Sequence, residues 1–187
     1  MKLVLLLVMT GLLSSCVGER IKTQYYLLRS DLKPDYSREI KTSDIALTKL
    51  NVATYIDQPG LVLTQTSGEI NIARYHQWAE PLRYSLKHFL ANEIFAHSGR
   101  YINIGREKTS LSSTRLEVVI DQLHGTADGR VVLVAYWKAI SKVEGKEIQL
   151  KYELTKTMPL IRDGYEALVA SEKELLRNLA KEIAASL

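Results

Sequence analysis

Cysteine is nearly absent: the chain of 187 residues has one, Cys16. No intramolecular disulfide can form, and no cysteine-rich metal site or Cys-x-x-Cys redox pair can be built. Histidine is scarce as well. His76, His88, His97 and His124 never stand at the i, i+4 spacing of a helical zinc motif. There is no Gly-x-Ser-x-Gly, the turn that presents a serine nucleophile. Gly99 and Gly105 lie one residue too far apart for a P-loop, and Arg106 follows where lysine is needed. Acidic side chains are scattered, with no pair assignable to acid and base roles. A net charge of +4, with no basic cluster interleaved with aromatics, argues against nucleic acid. No apolar run approaches the ~20 residues that cross a bilayer as a helix. The chain therefore reads as a non-enzyme with no catalytic residue, metal or cofactor assigned.

What is present begins at the N-terminus. Lys2 precedes an apolar run from Leu3 to Val8, which continues through Met9 to Leu13 with Thr10 and Gly11 interrupting. A positive start, a short apolar stretch and small residues at a cut site make a secretory signal. Leu13-Ser14-Ser15 ends directly on Cys16 and resembles the bacterial lipobox. On that reading residues 1–15 are removed between Ser15 and Cys16. Cys16 is diacylated, becomes the first mature residue and is acylated again on its amine. The competing reading is an ordinary signal peptide with an incidental cysteine. One acyl chain holds a protein only reversibly, whereas two or three make attachment effectively permanent. Val17, in a place where aspartate signals retention in the inner membrane, favours the outer membrane. Residues 16–23 are then a short lipid-anchored tether, and 24–187 are long enough for one domain with a real core.

The patterning predicts that domain's elements in order. Tyr25 to Leu28 reads as a strand, and 29–43, with Pro34, as a surface loop. Ile45, Leu47, Leu50, Val52 and Tyr55 mark a second strand, whose apolar phase slips between Leu47 and Leu50, as at a bulge or in a strand buried on both faces. Asp57 to Gly60 stops it. Leu61 to Leu63 and Glu69 to Ala73 form a hairpin about Thr66-Ser67-Gly68. Trp78, Leu82, Leu86, Phe89, Leu90 and Ile94 recur at helical spacing, predicting a helix from Trp78 to His97 with Pro81 in its first turn and Gly99 at its end. After a polar loop at 105–113 come three strands: Leu116 to Ile120, the apolar Val131 to Ser141, and Ile148 to Thr155 alternating with period two. A last helix runs from Tyr165, with Asp163 and Glu166 spaced as a capping box. This is an α+β fold: a single mixed or antiparallel sheet with two amphipathic helices packed on it.

Ten tyrosines against two phenylalanines suggest half-wet surfaces. Tyr25 and Tyr26, adjacent in a strand, face opposite sides; with Tyr55 they are the candidate partner surface. Trp78 reads first as a core aromatic joining helix to sheet, with ligand stacking as the alternative. Asp57–Gly60 and Pro81 read as a strand stop and a helix start, and no site is assigned to them.

Three segments together carry a family resemblance. Tyr25-Tyr26-Leu27-Leu28 lies shortly after the lipobox, followed by Tyr55-Ile56-Asp57-Gln58-Pro59 and then Trp78-Ala79-Glu80-Pro81-Leu82, continued by Leu90-Ala91-Asn92-Glu93. The chain resembles the ABC-type transport auxiliary lipoproteins, the PqiC/YmbA group. It departs from their pattern at Gln58, at Gly60 and at His76-Gln77. The resemblance implies a non-catalytic lipoprotein on the periplasmic face of the outer membrane. It implies a PqiB-like MCE-domain protein and its inner-membrane companions as partners in lipid transport, membrane lipid as a partner through the acylated cysteine, and a ring-shaped homo-oligomer as one assembly. Two alternatives stand beside it, a regulator of a cell-wall enzyme and a periplasmic hydrolase. The first needs a long tether, and residues 17–23 reach only ~3.6 Å each when extended.

Overall fold

The computed structural model describes residues 21–32, 45–105 and 114–187. The expectations for the signal segment, for Ser15 and Cys16, and for most of the loops at 29–43 and 105–113 fall outside the described residues.

Among the described residues, eight strands and two helices follow in the order β1 (Gln24–Tyr26), β2 (Ile45–Val52), β3 (Gly60–Thr64), β4 (Ile70–Trp78), α1 (Leu82–Ser98), β5 (Ile102–Asn103), β6 (Thr114–Thr126), β7 (Arg130–Val143), β8 (Lys146–Pro159) and α2 (Tyr165–Ala185). They form one mixed sheet with the helices, the α+β class expected. β6 is its axis. β7 pairs antiparallel along one side of it. Its other side takes β2 in parallel over Thr114 to Ile120, then β3 in parallel at Gly125 and Thr126. β4 continues beyond β3 and β1 beyond β4, while β5 lies beyond β2. On the far side, β8 pairs with β7 from Arg130↔Pro159 to Val143↔Lys146. The register of β2 slips between Leu47 and Lys49, as at a bulge.

The helices lie against each other, α1 over β2 and β5, α2 over β6, β7 and β8. Leu86, Phe89, Leu90 and Ile94 of α1 and Leu168, Leu175, Leu176, Leu179 and Ile183 of α2 share one apolar core with Leu116, Val118, Ile120, Leu133 and Trp137 of the sheet. The period of 3.6 on the helices meets the period of two on the strands, and burial of that shared face is the main stabilising term. After β1 the chain crosses both helices, fixed by Ser30 Oγ donating to the buried Glu93 carboxylate (2.6 Å) and by Asp31 pairing with Arg177 (2.7 Å).

Two helix starts differ from expectation. Trp78 is the last residue of β4, not the first of the helix. Its N–H donates to the Pro59 carbonyl (2.7 Å), and its register partner is Tyr26. Pro81 occupies the N-cap with an extended ψ of 125°, and α1 starts at Leu82. A proline disfavours helical backbone at the residue before it, so the 78/82/86 spacing spans a strand end and a helix face. At α2 the N-cap is Gly164, no side chain caps the helix, and Glu166 pairs with Arg162 (3.1 Å); the Asp163–Glu166 capping box does not form. The end of α1 is as expected: Gly99 is left-handed (φ 68°) and donates to the Phe95 carbonyl (2.7 Å), a conformation open to glycine at low cost. Strand bounds differ too. β1 stops at Tyr26, and Tyr55 lies past the end of β2. β4 and β8 run longer than predicted, and the short β5 has no apolar pattern long enough to announce it.

Candidate functional site

The segments 55–59 and 78–82 are separate in sequence and adjoin in the fold. The first is a tight turn: Ile56 and Asp57 both donate to the Ala53 carbonyl (3.1 Å each), Gln58 Nε2 donates to the Thr54 carbonyl (2.9 Å), and buried Ile56 anchors the turn in the core. The second leaves β4 at Trp78. Ala79 N–H donates to the Tyr26 carbonyl (2.8 Å), which ties the segment to β1 as well. Gly60, next after the turn, pairs with Gln77, and a Cβ there would press into the Ala73 carbonyl and lie 2.7 Å from Ile72 Cγ2. Only glycine lets the two backbones come this close.

Between them opens a cleft of about 460 Å³ lined by Asp57, Gln58, Pro59, Trp78, Glu80, Pro81 and Leu82. Trp78 and Leu82 are its buried apolar base, and Pro59 and Pro81 stiffen its two walls. Its charges are paired. Asp57 accepts from Arg83 (2.8 Å). Glu80 accepts from Arg29 (2.7 Å), whose guanidinium also reaches the Ser85 hydroxyl (3.4 Å) and lies 5.7 Å from the Tyr84 ring centre. A concave apolar floor with a rim of committed ion pairs suits an apolar anchor from a partner better than proton transfer.

The three tyrosines do not share one environment. Tyr25 is 65% exposed on β1 and presents its ring outward. Tyr26 packs against the core, its hydroxyl donating to Gln24 Oε1 (2.9 Å) and lying 3.0 Å from His76 Nδ1. Tyr55 also packs against the core, 3.1 Å from His124 Nδ1. Burial, reinforced by the Asp121 charge, pushes the Tyr55 phenol up to about 12, and burial holds His124 below the usual imidazole range. Tyr55 Oη and His124 Nδ1 share one hydrogen bond, whose donor is set by the histidine tautomer. His76 stacks on Tyr165 at 4.0 Å, and His88 lies 4.4 Å from Tyr84. Among the described residues no group of three or more His, Cys, Asp or Glu side chains is placed to hold a metal ion, and no helix is long and apolar enough to cross a membrane.

The buried histidine has a consequence for stability. A histidine with a depressed folded pKa binds its proton more readily when unfolded, so its contribution is full above about pH 6.5 and is lost as pH falls through the folded value. Glu172, fully buried on α2 and pushed well above the carboxylate range by that burial, has the opposite slope. Its contribution is present at low pH and is lost as pH rises. Comparing the native chain with His124→Gln isolates the histidine: the native melting temperature should drop more between pH 7 and pH 5 than the variant's, measured by circular dichroism.

The residues of the cleft carry local signals in the sequence, but their meeting does not. A strand stop and a helix start carry no sign that they pack together; the opposite charges of Asp57 and Arg83 and the two prolines were the available signal.

A family model described as ABC-type transport auxiliary lipoprotein component matches residues 26–184, and the chain belongs to that family. No curated protein matches it. Among solved structures, that of an uncharacterised protein superposes with a TM-score of 0.67 at 20% identity, covering 88% of this chain and 98% of the other. The crystal structure of protein XCC0632 from Xanthomonas campestris, of the DUF330 family, gives 0.65 at 18%, covering 86% and 92%. Both share the fold.

Proposed function

We propose that this transport auxiliary lipoprotein is a non-catalytic docking subunit of an intermembrane lipid-transport system. Acylated Cys16 holds it in the outer membrane, the domain faces the periplasm, and the Asp57–Trp78–Pro81 cleft receives a periplasm-spanning MCE-domain protein. One observation carries the reading: two of the three segments that carry the family resemblance, 55–59 and 78–82, are the two walls of one cleft. Each has a structural job by itself, but a stop and a start need no shared apolar hollow between them. The paired charges at the rim favour a preformed seat, which saves ordering cost on binding. Tyr25 and Tyr84, both exposed, offer further aromatic contact area.

Affinity purification of the acylated chain from native envelopes tests the proposal. The expected companion is an MCE-domain protein, found by mass spectrometry. Recovery of a cell-wall enzyme in its place would move the protein to the regulator class.

A further inference from the structure

β8 is an edge strand. Among the described residues it pairs with β7 alone, and it is fourteen residues long. Such an edge presents unpaired backbone N–H and C=O groups, a template for another strand. The end of β8 near the β7–β8 turn is also bare. Lys146 to Lys151 are exposed at every position, Ile148 at 42% and Leu150 at 51%. The reason lies in where α2 stops. Its first turn sits over Gly125, beside Leu168, and just past its end Ser186 Oγ accepts from Trp137 Nε1 (3.0 Å). Tyr152, opposite Trp137, stacks on it at 5.3 Å. Leu150 and Ile148 lie two and four residues further along the same face of β8, past the helix.

The sequence of this bare stretch is complementary to its own reverse. Set Lys146-Glu147-Ile148-Gln149-Leu150-Lys151-Tyr152 antiparallel to a second copy with Gln149 opposite Gln149. Glu147 then faces Lys151 twice, Ile148 faces Leu150 twice, and Lys146 faces the Tyr152 ring twice. The apolar pairs fall on the helix-bearing face and the charge pairs on the other. Shifting the centre by one residue to Leu150 sets Glu147 against Glu153, and centring on Lys151 sets lysine against lysine. Centring on Tyr152 again pairs charges, Lys151 with Glu153. It places the second copy beside the part of β8 that α2 occupies, where Lys156 binds Asn178 (2.8 Å). We propose that two copies of this chain join edge to edge through β8 about a two-fold axis at Gln149, extending the sheet across both. The contact is isologous and closes on itself, so a ring would need a second surface.

Glu147 is held ionised by the Gln149 amide (2.8 Å) and by Arg115 (2.7 Å). Opposite charges directly across a strand pair are favourable and like charges unfavourable. The test is sedimentation velocity of the full chain in detergent over a concentration series, with the fold of each variant checked by circular dichroism. The native chain should dimerise. Glu147→Lys and Lys151→Glu, each placing like charges opposite at two symmetry-related points, should each weaken the dimer by about tenfold or more. Mixing the two variants should restore a one-to-one heterodimer, since each then supplies the charge the other needs; this arm also exposes any variant that has merely lost its fold. A native chain that stays monomeric throughout overturns the proposal. So does a dimer sensitive to Lys151→Glu but not to Glu147→Lys, which marks the Tyr152 register, or a mixture that fails to associate.

Discussion

Replacing Phe89 by alanine is expected to cost about 3–5 kcal/mol, the range for truncating a buried phenylalanine. Phe89 has no solvent exposure and sits midway along α1, in the core shared by both helices and the sheet. Its neighbours Leu86 and Leu90 are equally closed to solvent, so the hole left by the ring has rigid walls and little chance to collapse. Domains of this kind are stable by only about 5–15 kcal/mol in total. The substitution therefore takes about a fifth or more of that reserve, and denaturant unfolding should show a lower midpoint at an unchanged slope. Phe89→Leu keeps most of the volume and should cost far less. Similar losses from the two variants would mean that the α1 face is not packed as described.

Cys16→Ala is expected to move the protein, not to unfold it. Each methylene buried in a bilayer is worth ~0.8 kcal/mol, so if Cys16 is acylated as proposed, losing its two or three acyl chains takes away essentially all of the membrane affinity. The described strands and helices, of which Gln24 is the first residue, do not include position 16 and should be unaffected. Fractionated envelopes should show the native chain with the outer membrane and the variant in the soluble fraction, with the same circular dichroism spectrum. A variant that remains in the outer-membrane fraction would mean that Cys16 is not the anchor or that a bound partner replaces it.

Much of the fold was legible because it is written in local periodicity. The phase slip after Leu47 already offered a bulge as one of two readings, and the alternation along Leu116 to Ile120 could be read directly. So could Gly99 at the end of α1, because each feature depends on residues a few positions apart. The start of α1 could not. Trp78 continues the helical spacing of Leu82 and Leu86 by coincidence, and what makes it a strand end is its pairing with Tyr26 and Pro59, contacts with distant parts of the chain. β8 was readable as a strand, but its apolar face was not readable as uncovered. Ile148 and Leu150 alternate as core residues do, and only the length of α2 against the longer β7–β8 hairpin leaves them outside.

The candidate site divides in the same way. The residues of the cleft were picked out by resemblance, each with a local explanation. Their convergence depends on Gly60, which admits a close approach of β3 to β4. For the tyrosines, the alternation that separates Tyr25 from Tyr26 was legible. The histidine partners of Tyr26 and Tyr55 were not, since they lie 50 and 69 residues away.

The measurement that bears most directly on the proposed role is a photo-crosslink from the cleft in living cells. Gln58 is exposed on the cleft wall, and a benzophenone side chain there reaches whatever occupies the hollow. On irradiation, the account predicts an adduct with the MCE-domain protein, abolished when that protein is deleted. An adduct that persists in its absence, or one formed with a cell-wall enzyme, would contradict it.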